Sequence, residues 1–134
     1  MFKIYGVSIF NSFIRPYLGL DGTREYLTKV GANASGSPGM KHEITHYKNN
    51  KKYGFSELYF TVDKNAVLEM RGCFVNDKKH GLCEVFHSNG KVQIRENFLE
   101  DVPHGLQEVF NDEGQLMERS EYLNGQLQKR ETEF

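Results

Sequence analysis

The sequence predicts an all-β fold, an antiparallel β-hairpin meander built from ~24-residue repeats after an N-terminal β-rich segment. Three observations carry that prediction. His80-Gly81-Leu82-Cys83-Glu84-Val85-Phe86 returns 24 residues later as His104-Gly105-Leu106-Gln107-Glu108-Val109-Phe110. Turn signals recur in phase, Asn89-Gly90 in one copy and Glu113-Gly114 in the next. A strand-turn-strand unit of that length has no room for a helical crossover, so neighbouring strands must run antiparallel.

Taken in order, residues 1–38 form an N-terminal segment expected to pack on the repeats. Met1 to Phe10 reads as an opening strand, because Asn11 and Arg15 interrupt what would otherwise resemble a signal-peptide core. Leu20-Asp21-Gly22-Thr23 reads as a hairpin turn, and Asn33 to Gly39 as a loop. The repeats occupy residues 39–134. Tyr47 to Gly54 matches Phe74 to Gly81 at a step of 27, and Glu57-Leu58-Tyr59 matches Glu84-Val85-Phe86. The three extra residues are assigned to a turn near Val62 to Asn65. The 24-residue step also relates Arg95 to Arg119 and Phe98 to Tyr122, and Tyr122-Leu123-Asn124-Gly125 opens a last copy.

A two-residue hairpin at Asn89-Gly90, with positive φ at both positions, fixes a register. Ser88 then faces Lys91, Val85 faces Ile94, and Glu84 faces Arg95. The same rule at Glu113-Gly114 sets Glu108 against Arg119, and Glu57 faces Arg71 across a longer loop near Lys64. Each opposite-charge pair contributes roughly 0.2–1 kcal/mol. Their larger effect is on register, since a one-residue slip moves every side chain to the other face. Leu82 and Phe86 share a face with Glu84, while Val85, Ile94 and Phe98 share the other. A sheet with apolar groups on both sides wants cover on both. Residues 1–38 are expected over one side, and a partner or a second copy of the chain over the other.

The length of 134 residues suits one domain, and ten Phe, seven Tyr and no Trp give a thin aromatic-rich core. The net charge of −1 hides an asymmetry: residues 1–73 carry ten Lys/Arg against six Asp/Glu, and residues 74–134 seven against twelve. The basic half is too dilute for a nucleic-acid footprint. Lys48, Lys51 and Lys52 form its one compact knot, the basis of an alternative as a membrane-surface or scaffold module. The acidic half suits a protein partner with a basic surface. Cys73 and Cys83 do not make a disulfide framework, so free thiols and a cytoplasmic location are expected. No stretch approaches the roughly 20 apolar residues of a membrane span.

His42-Glu43-Ile44-Thr45-His46 has the spacing of a zinc-hydrolase motif. That chemistry needs a helix, so that both imidazoles reach one metal while the Glu activates its water. Shifted by 27, the motif falls on Glu69 to Cys73, a strand position. On a strand, His42 and His46 stand about 13 Å apart. No cofactor or metal is expected, and the zinc hydrolase stands only as the alternative. His80 and His104, in phase and each before Gly, are assigned structural roles, with Tyr53 in the equivalent place.

The unit resembles the MORN repeat, in its divergent bacterial variant, over Tyr47 to Gly54, Phe74 to Phe86, Phe98 to Phe110 and Tyr122 to Gly125. It departs from the standard pattern, in which glycine-x-glycine precedes the central aromatic; here Gly81 is followed by Leu82-Cys83. The resemblance implies a hairpin meander that binds proteins or itself, often antitoxin-like. The expected function is therefore a non-enzymatic module that inhibits or neutralises a partner protein, or forms a homodimer. Its expected contact residues are Phe74, Val85, Ile94, Phe98 and Tyr122.

Overall fold

A computed structural model describes residues 21–32, 38–62 and 65–134. It contains β1 (Gly22–Ala32), β2 (Pro38–Lys48), β3 (Lys51–Val62), β4 (Asn65–Val75), β5 (Lys78–Lys79), β6 (Gly81–Phe86), β7 (Val92–Leu99), β8 (Val102–Phe110), β9 (Leu116–Leu123) and β10 (Gln126–Glu131). They form one open sheet in the order β1-β2-β3-β4-β6-β7-β8-β9-β10, with β5 paired to β4. All pairings are antiparallel. This is the all-β meander that the repeat spacing predicts.

The turn at Asn89-Gly90 is not the expected two-residue hairpin. His87 faces Lys91, donating its N–H to the Lys91 carbonyl at 2.8 Å, so Ser88, Asn89 and Gly90 make a three-residue loop. Only Gly90 has a positive φ, of 86°. Asn111 and Gln115 close the same loop around Gly114. A three-residue loop ending in a left-handed glycine shifts the strands by one residue. A bulge at Gln93 shifts them back, as Phe86 pairs with Val92 but Val85 with Ile94. Met117 does the same after the second loop. Between β3 and β4 a bulge at Glu69 brings Glu57 opposite Arg71. Glu84 therefore does face Arg95, and Glu108 faces Arg119. Ser88 does not face Lys91.

Among the described residues, the two-residue turns with positive φ at both positions lie along the other edge. Asn49-Asn50, Asn76-Asp77, Glu100-Asp101 and Asn124-Gly125 all have positive φ at both positions. That is the hairpin geometry whose twist matches the strands. The residue after each of the first three turns starts a strand interrupted by Tyr53-Gly54, His80-Gly81 or His104-Gly105, where two extra residues bulge out around a left-handed glycine. The recurring His-Gly step is thus a bulge that re-aims the strand.

The 27-residue copy gains its extra length in its strands rather than in a turn. β3 and β4 have 12 and 11 residues, and Val62 pairs directly with Asn65. Glu57 still faces Arg71. The Asp63-Lys64 pair between them, the opening strand at Met1 to Phe10, and residues 33–37 of the expected loop lie outside the described residues. Gly22 and Thr23 begin β1 instead of making a turn, and β1 joins the sheet edge beside β2.

Among the described residues no second layer covers the sheet. Its buried side chains are Arg24, Thr45, Cys83, Glu84 and Ser120, none of them a large aliphatic. Burial here comes from cross-strand neighbours crowding mid-sheet positions. The stabilising unit is the cross-strand pair.

Candidate functional site

The charged residues predicted to set the register form one continuous row. Glu57, Arg71, Glu84, Arg95, Glu108, Arg119 and Glu131 are register partners from β3 through β10. Glu84 is bracketed by Arg71 at 2.8 Å and Arg95 at 3.2 Å. Glu108 is bracketed by Arg119 at 3.0 Å and Arg95 at 3.8 Å. Burial acts to raise the Glu84 pKa, but hydrogen bonds from Arg71 and Arg95 overcome it and hold the carboxyl below its ordinary range. Each arginine also lies over an aromatic ring of the same face: Arg71 over Phe86, Arg95 over Phe110 and Arg119 over Phe134.

The ladder is asymmetric in exposure. The Glu84 and Glu108 side chains are 6% and 13% exposed, while Arg71, Arg95 and Arg119 are 48%, 43% and 42% exposed. The acids are sunk and the guanidiniums face outward. Alternation along the strands puts Phe55, Leu82 and Leu106 on this same face, two residues from the ladder. Val75, Leu99, Val102 and Leu123 follow toward the two-residue turns. All seven are exposed.

The five contact residues expected from sequence lie together on the opposite face. Val85 and Ile94 are direct partners between Met70 and Val109. Phe74 faces Gly54, Phe98 faces Gly81, and Tyr122 faces Gly105. All five are half-buried. The Lys52 and Lys79 ammonium groups sit over the Phe74 and Phe98 rings. Beside them runs a polar row, in which Thr45 bonds Ser56, Gln107 bonds Glu96 and Arg130 bonds Ser120. Gly72 leaves a shallow groove there, floored by the Cys83 thiol. Sequence reasoning grouped the half-buried aromatics and passed over the exposed ribs. The 24-residue step from Val75 to Leu99 to Leu123 was the signal that could have found them.

Residues 79–100 and 103–124 each match the family model of the MORN repeat variant. The chain is a MORN-repeat-like protein. No curated protein and no solved structure matches it. MORN repeats are binding or scaffold modules, generally without catalysis, and mediate protein or membrane interactions. The two matched segments begin just after one two-residue turn and end at the next, so each MORN unit is one hairpin of the sheet.

The remaining motifs are absorbed by the MORN architecture. His42 to His46 lies on β2 and not on a helix. His42 and Glu43 therefore point to opposite faces. His42 lies 3.4 Å from Glu25, Glu43 binds Lys52 at 2.9 Å and the Thr45 hydroxyl, and His46 bonds the Phe55 carbonyl. Among the described residues no cluster of three or more His, Cys, Asp or Glu could hold a metal. His104 accepts the Asn124 N–H through Nδ1 at 3.3 Å, a structural role. In the basic knot, Lys52 is engaged by Glu43, Lys48 lies over Tyr53, and only Lys51 has neither contact. Burial pushes the Cys73 and Cys83 thiols up, away from the reactive thiolate. Among the described residues no helix is long and apolar enough to cross a membrane.

Proposed function

We propose that this protein is a non-enzymatic binding module of the inhibitor, immunity or antitoxin type, which neutralises a partner protein by occupying its surface. The observation that carries this reading is the ladder face. Seven large apolar side chains stand exposed on it, six of them in two rows that follow the repeat. Exposed apolar patches on this scale mark interaction sites. Repeating one unit across a sheet extends such a patch strand by strand. The row of half-exposed arginines gives the patch a polar margin, the arrangement of a binding site with an apolar centre. The half-buried Phe74, Val85, Ile94, Phe98 and Tyr122 serve in this reading as the support of the sheet.

The test is to isolate the partner from the source cells with the intact chain and assay the partner's own activity as the chain is added. A stoichiometric loss of that activity supports the inhibitor reading. A partner that stays fully active at saturation contradicts it.

A further inference from the structure

We propose that the ladder face receives an amphipathic α-helix of the partner, laid across the strands, with its apolar stripe on the ribs and acidic residues along the arginine row. This rests on the protein-binding reading above and adds the class of partner.

The spacing selects a helix. Phe55, Leu82 and Leu106 stand on β3, β6 and β8, every second strand of the sheet. At the usual strand separation they recur every ~9.5 Å. Val75, Leu99 and Leu123 stand on the intervening β4, β7 and β9, two residues nearer the turn edge. The ribs therefore form two staggered rows, offset by one strand. An α-helix advances about 10.5 Å in seven residues and about 4.5 Å in three. Side chains at i, i+3 and i+7 thus meet one row, the other, and the first again. A crossing roughly 20–25° off the perpendicular shortens the heptad step of about 10.5 Å to the ~9.5 Å spacing of the ribs. An extended peptide repeats its side chains every ~6.8 Å on one face and would fall out of step by the second rib.

The charge selects the flank. Arg71, Arg95 and Arg119 also stand on alternate strands, so an acidic residue once per heptad would meet each in turn. Glu84 and Glu108 are sunk beneath them, so over the middle of the row an approaching helix meets guanidinium groups. The arginine row lies about 7 Å from the Leu82 row, inside the screening length of about 8 Å at physiological salt. On the far side the ribs are bordered by the exposed Asp77, Lys78, Glu100 and Asp101, a mixed margin that selects no charge for the second flank.

The probe is a synthetic helical peptide of about three heptads, with Leu at the i, i+3 and i+7 positions and Glu along one flank. Its binding to the intact chain is read by fluorescence anisotropy. Two comparison peptides carry the same composition with the leucines spread evenly, and Lys in place of Glu. Leu82→Asp/Leu106→Asp tests the face, with Phe98→Ser as the opposite-face control and circular dichroism confirming the fold. The expected result is saturable binding of the first peptide, weakened at least about tenfold by the double substitution and by each peptide change. Equal binding of the evenly spread peptide, or an unchanged affinity in the double variant, overturns the helix. Tighter binding of the Lys peptide overturns the acidic flank. A dimer of the chain that the double substitution dissolves, with no peptide binding, overturns the helix in favour of a second copy. If no peptide binds but the double substitution still abolishes capture of the native partner, the helix falls while the protein-binding reading stands.

Discussion

The two faces of this sheet use the same residue classes in opposite ways. On the ladder face, charged groups are paired and the large apolar side chains stand in solvent. On the other face, aromatic side chains are half-buried under lysine stems, and the polar groups pair in a row between them. Among the described residues, the sheet thus divides register and apolar support between its two faces. Register comes from the ladder, which spends charge rather than apolar area. Apolar support comes from the opposite face, and the ribs of the ladder face stand exposed.

That comparison can be broken at the ladder itself. Glu84→Ala removes a buried carboxylate that accepts hydrogen bonds from two arginines. It should cost about 2–3 kcal/mol in a denaturant titration, with Glu84→Gln losing less. A loss no larger than that of an ordinary surface substitution would mean that the ladder decorates the sheet without holding it. The opposite face is probed by Gly72→Ala, whose new Cβ would stand 2.6 Å from the Cys83 Sγ. Overpacking of that kind should cost about 1–3 kcal/mol. Adding Cys83→Ala should recover part of it, because neighbours in contact do not add.

Support and surface should separate in the next pair. Phe98→Ser removes a half-buried ring and should cost about 1–1.5 kcal/mol. Leu82→Ser on the exposed rib should stay within about 0.5 kcal/mol. Acidification sharpens the ladder side. The folded Glu84 pKa is lowered, so its contribution is fully present above the ordinary glutamate pKa and is lost as pH falls through the folded value. Stability should therefore drop below about pH 4.5, and that part of the drop should vanish in Glu84→Gln. One substitution should give a gain. Glu100 holds a φ of 48° with a side chain that does not favour it. Glu100→Asn should stabilise by up to about 1 kcal/mol, read as a rise in Tm.

Much of the architecture was legible because the repeat was. Glu84 facing Arg95 and Glu108 facing Arg119 followed from turn residues alone, yet by a route with two compensating errors. The loop has one residue more than a two-residue hairpin, and Gln93 or Met117 bulges to take up the slip. Asn-Gly marks a left-handed glycine in either turn type, so the sequence could not tell them apart. Glu100-Asp101 carried no turn signature, because its shape is imposed from the neighbouring hairpin. The Asp101 N–H bonds the Lys79 carbonyl, and its carboxylate accepts the Lys79 N–H. Asp77 repeats this on Lys52. At the last step the partner is Pro103, which has no N–H, and the in-phase residue is Gly125 rather than Asp. Val85, Ile94 and Phe98 share one face, as the register requires, but the exposure of that face was not legible. Periodicity assigns a face and says nothing of which face the lysine stems will cover.

The central claim is that the ladder face binds while the opposite face supports, and one paired measurement tests it most directly. Tm and partner affinity are measured together for Leu82→Asp/Leu106→Asp and for Phe98→Ser. The first should lose affinity with little change in Tm, and the second should lose Tm while the remaining folded protein keeps its affinity. The reverse pattern, or losses that move together in both variants, would contradict it.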